Sequence, residues 1–157
     1  MIEVNYQNAL SDSAMFYVPS KADVLACLTV VITQLQEKKP IELTVRFVDT
    51  VEMVQLNTDF RKKNKPTNVL TFPYEQPEIQ GLEEEADYLG DIVICAEVVD
   101  NEAKQQQKTL EEHWLHMIVH GCLHLYGYDH ILDEEAVEME SLETLILLKM
   151  GMSSPYE

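Results

Sequence analysis

Cysteine is scarce in this chain: Cys27, Cys95 and Cys122 are odd in number, far apart and form no CxxC pair. That argues against a disulfide frame and fits reduced thiols in a cytoplasmic protein. Only five glycines occur in 157 residues, and none builds GxGxxG or GxxxxGK[ST], so the dinucleotide and P-loop phosphate cradles are excluded. No apolar run approaches the roughly 18 to 20 residues of a membrane span. The opening MIEVNYQNAL has neither a basic n-region nor an apolar h-region, and no signal peptide is expected. Basic residues are also few, 11 Lys and Arg against 28 Asp and Glu, for a formal charge of −17. A protein that coats nucleic acid in general is thereby excluded, because neutralising phosphates takes clustered cations.

What remains is an ordinary globular composition, 46% hydrophobic and 25% charged. It is long enough for one domain, residues 1–157, with a core of its own. Four of the eleven cations fall in RKKNK, Arg61 to Lys65. By charge patterning alone this cluster reads equally as a helix end with dipole-matched lysines or as a phosphate contact. Acidic runs at Glu83–Asp87 and Asp133–Glu143 read as solvated faces.

Periodicity gives the elements. Strands are expected at Ile2–Gln7, Ile41–Val48, Thr67–Tyr74 and from Tyr88, with a mobile loop at Glu75–Asp87. A helix from Ser20 carries Val24, Leu25, Leu28, Val31, Ile32 and Leu35 at helical spacing. A second starts at Asp49, read as its cap, and a third near Val98. The fourth, from Thr109, has Glu112 three residues on and Gly127 as its C′ residue. A last helix, capped by Asp133, would bury Val137, Leu142, Leu145, Ile146 and Leu148. The order β-α-β-α-β-β-α-α-α implies an α+β fold, a mixed four-stranded sheet packed with about five helices.

The stretch HGCLHLYGYDH, His120 to His130, holds three of five histidines. His120 and His124 lie about 40° apart around a helix and one turn apart along it, so both rings reach one point. A third ligand requires the helix to end and fold back, which Gly127 permits, and His130 follows. Three neutral imidazoles leave a fourth position open to water, a catalytic pattern that suits zinc best and other first-row metals as well. His116, one turn earlier, could line the pocket; His113 reads as exposed or structural. Cys122 lies about 200° round from His120 and reads as a core thiol, and Trp114 as a core residue. Asp129 could orient a ligand or cap the turn.

The spacing HxxxHxxGxxH resembles that of the metzincin proteases, but their catalytic glutamate is replaced by Gly121. Three motifs, LNTDFRKKNKPTNVLTFP, YLGDIVIC and HMIVHGCLHLYGYDH, in that order and spacing, resemble the YbeY family of bacterial metal-dependent endoribonucleases. The resemblance spans roughly Ile41 to Gly151. It implies a zincin-like fold related to the zinc metalloproteases. It also implies zinc held by His120, His124 and His130, and Arg61 as the important arginine of the cleft. It further implies cleavage of single-stranded RNA, maturation of the 16S ribosomal RNA 3′ end and ribosome quality control. The partners implied are ribosomal RNA, the small ribosomal subunit and an assembly GTPase; neither DNA nor membrane is expected. Lys62, Lys63 and Lys65 could guide the RNA backbone. Other readings are a zinc-dependent hydrolase of another kind, such as a peptidase, or a non-catalytic assembly factor with a structural metal.

Overall fold

Alternation of β-branched and polar residues makes strands of β1 (Ile2–Asn8) and β2 (Ile41–Val48), and helix α1 (Lys21–Gln34) crosses between them. The computed structural model describes residues 2–12, 14–74 and 87–156. Within them follow α2 (Thr50–Arg61), β3 (Val69–Pro73), β4 (Asp87–Cys95), α3 (Ala96–Gln105), α4 (Leu110–Leu125) and α5 (Asp133–Lys149). The sheet order is β1-β2-β4-β3. β1 with β2 and β2 with β4 pair in parallel, and β3 closes one edge antiparallel to β4. This is the mixed four-stranded sheet with five helices that the element order implies, in the zincin-like form that the family resemblance implies.

Period 2 sends alternate residues to opposite faces. Leu43, Val45 and Phe47 of β2 and Ile92 and Ile94 of β4 join the large core under α1 and α4. Their neighbours Val48, Val93 and Cys95 form a smaller cluster with Met53 of α2 and Leu70 of β3. Helices therefore cover both faces, and α2 and α4 lie on opposite sides of the sheet. No helix among the described residues is long and apolar enough to cross a membrane.

Several local expectations are corrected. Asp49 does precede α2, but its carboxylate accepts from the Ser11 amide at 2.9 Å and makes no cap bond. Asp133 is the first residue of α5, after an N-cap Leu132 that has no capping side chain. Helix α3 begins at Ala96, directly out of β4. Leu25 lies outside the buried stripe of α1, which is Val24, Cys27, Leu28, Val31 and Ile32. The largest correction is α5. Val137, Leu145 and Leu148 are exposed, and the buried face is Met139, Glu143, Ile146 and Leu147. Apolar character alone misplaces this face because its central position carries a carboxylate. The loop expected at Glu75–Asp87 lies outside the described residues, except that Asp87 already belongs to β4.

At Gly121 α4 packs against β4 with no room for a side chain. A Cβ there would lie 2.7 Å from Cγ2 of Ile92, a stiff β-branched side chain with nowhere to swing. The residue that removes the protease glutamate is thus also the one that lets α4 seat. Gly121→Ala should lower unfolding stability in urea by about 1–3 kcal/mol, outweighing a helix-propensity gain of about 1 kcal/mol. In an Ile92→Ala background the same change should become neutral or stabilising. Equal losses in both backgrounds would show that the contact is not the cause.

Candidate metal centre

Helix α4 is capped by Thr109, whose Oγ1 accepts from the Glu112 amide at 3.1 Å. It ends in a Schellman turn. Tyr128 donates its amide to the Leu123 carbonyl at 3.1 Å and Gly127 to His124 at 3.0 Å, with Gly127 at φ +97°. The expected reversal is present, and it brings His130 back beside the last turn of the helix. His120, His124 and His130 offer ligand atoms that all lie within 4.8 Å of one another. Nε2 of His120 and Nε2 of His124 are 3.0 Å apart. Nitrogens bound at about 2.0–2.1 Å around a tetrahedral ion would stand about 3.3 Å apart, so the donor set fits one ion.

Behind this cluster lies Glu143 of α5, fully buried. Its Oε1 accepts from Nδ1 of His120 at 2.6 Å, and its Oε2 from Nε2 of His116 at 2.8 Å and from the Tyr156 hydroxyl. One turn back, His113 donates from Nε2 to Glu102 at 2.9 Å, and Glu102 also accepts from the Asn68 amide. His113 is buried and structural, outside the cleft. Cys122 is in the core, where burial pushes its thiol up to about 12. Trp114 packs edge-on against Phe47 in the same core.

The histidines open onto a cleft of about 610 Å³, lined by Arg61, Thr67–Thr71 along β3, His116, Met117, His120, His124, Asp129, His130, Ile131 and Tyr156. It lies over the β3 edge, where the end of α2 from one face of the sheet meets α4 from the other. Arg61 is the last residue of α2 and is exposed. Lys62 turns the chain at φ +58°, and buried Asn57 holds the departing loop by donating to the Lys65 carbonyl at 2.7 Å. Lys62, Lys63 and Lys65 are exposed on that loop and do not line the cleft. Asp129 accepts from the His130 amide at 2.7 Å, shaping the loop that presents the third imidazole.

Glu143 and Tyr156 are the site residues that local reading of the sequence overlooks. The available signal was a lone carboxylate on an otherwise apolar stripe, with Met139, Leu142 and Ile146 around it. A polar residue there needs buried partners.

Burial would raise the Glu143 carboxyl, but hydrogen bonds from His116 and His120 outweigh it and hold the group at about 2. Its stabilising contribution is present above the unfolded value of about 4.3 and is lost as pH falls towards about 2. Burial lowers His116, and burial with neighbouring His120 and His130 lowers His124. Unfolded histidines take up protons below about pH 6.5, where these two resist, so acid favours unfolding in this range too. The metal-free protein should therefore unfold at lower urea at pH 5.5 than at pH 7.5. An unchanged or higher midpoint at pH 5.5 would contradict this account.

Comparison with known proteins bears on the fold and the family. A solution structure of TM1509 from Thermotoga maritima has a similar fold, with TM-score 0.53 and 23% identity over 100% of this chain and 99% of that one. The Endoribonuclease YbeY of Hydrogenovibrio crunogenus is 47% identical over 158 residues, covering 100% of this chain and 99% of the relative. The family model described as Endoribonuclease YbeY matches residues 7–151, and the chain belongs to that family.

Proposed function

We propose that the protein is a zinc-dependent endoribonuclease that cuts single-stranded RNA during ribosomal RNA processing, at the 3′ end of 16S ribosomal RNA and in ribosome quality control. The observation that carries this reading is that Arg61 and the three imidazoles line one cleft. His120, His124 and His130 would hold the ion. Zinc, when bound, supplies Lewis-acid chemistry, polarising a phosphoryl oxygen and lowering the pKa of water. The chain's own contribution is placement. The guanidinium of Arg61 is a planar fork that can grip two phosphate oxygens, which a lysine ammonium cannot reproduce. His116 and Tyr156 border the same cleft but are tied to Glu143.

Position 121 offers no carboxylate base, which disfavours the peptidase reading. RNA brings its own nucleophile in the 2′-hydroxyl, so a phosphodiester can be cleaved where a peptide needs a base. A cut leaving a 2′,3′-cyclic phosphate would mark attack by that hydroxyl; a 5′-phosphate with a 3′-hydroxyl would mark attack by water.

The charge of −17 repels RNA from most of the surface. Affinity for naked RNA should accordingly be weak and fall steeply with salt. Productive binding would come from a ribosomal setting in the cytoplasm, with ribosomal RNA, the small subunit and an assembly GTPase as partners. Lys62, Lys63 and Lys65, beside the cleft, would guide the backbone.

Arg61→Ala should lower cleavage of single-stranded RNA by roughly 10²- to 10³-fold, the usual effect of removing one donor to developing charge. Zinc content should be unchanged, and Arg61→Lys should not restore the rate. His124→Ala should lose both zinc and activity. Equal cleavage by wild type and Arg61→Ala would remove Arg61 from the mechanism. Peptide hydrolysis without RNA cleavage would overturn the ribonuclease reading.

A further inference from the structure

Of the carboxylates near the site, Glu143 stands out because it is wholly buried yet touches a cluster histidine. A buried carboxylate persists only when its oxygens are filled by donors. Here the donors come from three places in the chain: His116 and His120 on successive turns of α4, and Tyr156 in the segment after α5. An ionised carboxylate only accepts, so the nitrogen facing Oε1 must carry the proton. In His120 that nitrogen is Nδ1, at 2.6 Å. In its neutral form the ring then has a bare lone pair on Nε2, the atom 3.0 Å from Nε2 of His124.

We propose that Glu143 is the positioning residue of the metal centre, fixing His120 in the Nδ1–H tautomer so that Nε2 faces the ion, with Tyr156 and His116 completing the carboxylate's hydrogen bonds. The inference rests on reading His120, His124 and His130 as ligands, and adds a residue from another helix. It has three consequences. The ligand geometry depends on α5 being docked, because the carboxylate belongs to α5. The segment after α5 is coupled to the metal centre through one phenol. The carboxylate also increases the basicity of the His120 ring, strengthening it as a ligand.

A purely structural Glu143, tying α5 to α4, would affect stability but not the identity of the bound nitrogen. The test therefore uses the full chain, zinc chloride alone and two readouts. Imidazole ¹⁵N spectra of the zinc-loaded wild type should show His120 bound through Nε2 and protonated at Nδ1. Competition against a chromophoric chelator should show Glu143→Gln binding zinc roughly 10- to 100-fold more weakly. Tyr156→Phe should weaken binding by a smaller factor. Ligation through Nδ1 of His120 would overturn the proposal whether or not Glu143→Gln folds. So would wild-type zinc affinity in both folded variants. A wild type that takes up no zinc, or a His124→Ala protein that holds it equally well, would instead overturn the ligand assignment on which the proposal rests.

Discussion

The row of imidazoles along α4, buried at its start and part-exposed at its end, sets the terms for everything around it. His113, His116, His120 and His124 recur at three- and four-residue intervals on one side of a helix that is otherwise packed into the core. A buried imbalance of polar atoms is costly, so each ring needs a partner. Glu102 serves His113, and Glu143 serves both His116 and His120. From His116 onward the row lines the cleft, and its exposure grows towards the end of the helix. The site is thus the exposed terminus of a buried polar network, and its orientation is inherited from partners deeper in the protein.

Two glycines make that arrangement possible for different reasons. Gly121 lets α4 approach β4, since even one carbon would press on Ile92. Gly127 has open space around it but needs its positive φ to close the Schellman turn and return the chain to His130. The first sets the depth at which the helix sits and the second sets the direction in which it is left. Replacing the protease glutamate by glycine therefore has both a chemical meaning, no base at this position, and a packing meaning, a tighter helix–sheet contact.

What was legible in the sequence was whatever depends on neighbours along the chain. The strand alternation, the Thr109 cap, the Gly127 turn and the convergence of His120, His124 and His130 all follow from spacings of a few residues. Arg61 could be brought to the cleft only by family resemblance, because it lies 59 residues before His120 and on the opposite layer. Glu143 and Tyr156 needed tertiary structure. Their partners are set by how α5 docks, and local pattern misplaces that face for the same reason that it hides Glu143. A run such as DEEAVEMESLE looks solvated by composition, while one of its carboxylates is the best-satisfied polar group of the site. The capping errors at Asp49 and Asp133 have a simpler origin. Asp49 bonds Ser11 across the fold instead, a contact invisible to local pattern.

Charge placement then bears on what the cleft can hold. Thiolate or carboxylate ligands would cancel the charge of a divalent ion directly, whereas three neutral imidazoles leave it in place. The negative charge of Glu143 sits behind His120, one ring removed from the cleft, and that of Asp129, on the cleft wall, accepts from the His130 amide. Arg61 adds a further positive group at the opening. On a chain of −17, a loaded cleft of this kind would be a local reversal of sign, surrounded by a surface that repels polyanions. Such a site discriminates by geometry. With an ion bound, a compact phosphate that reaches both it and the guanidinium would be favoured, while a long duplex lying across the surface would meet repulsion along most of its length. Under the proposed function, that balance would suit a flexible single strand without any extended basic patch.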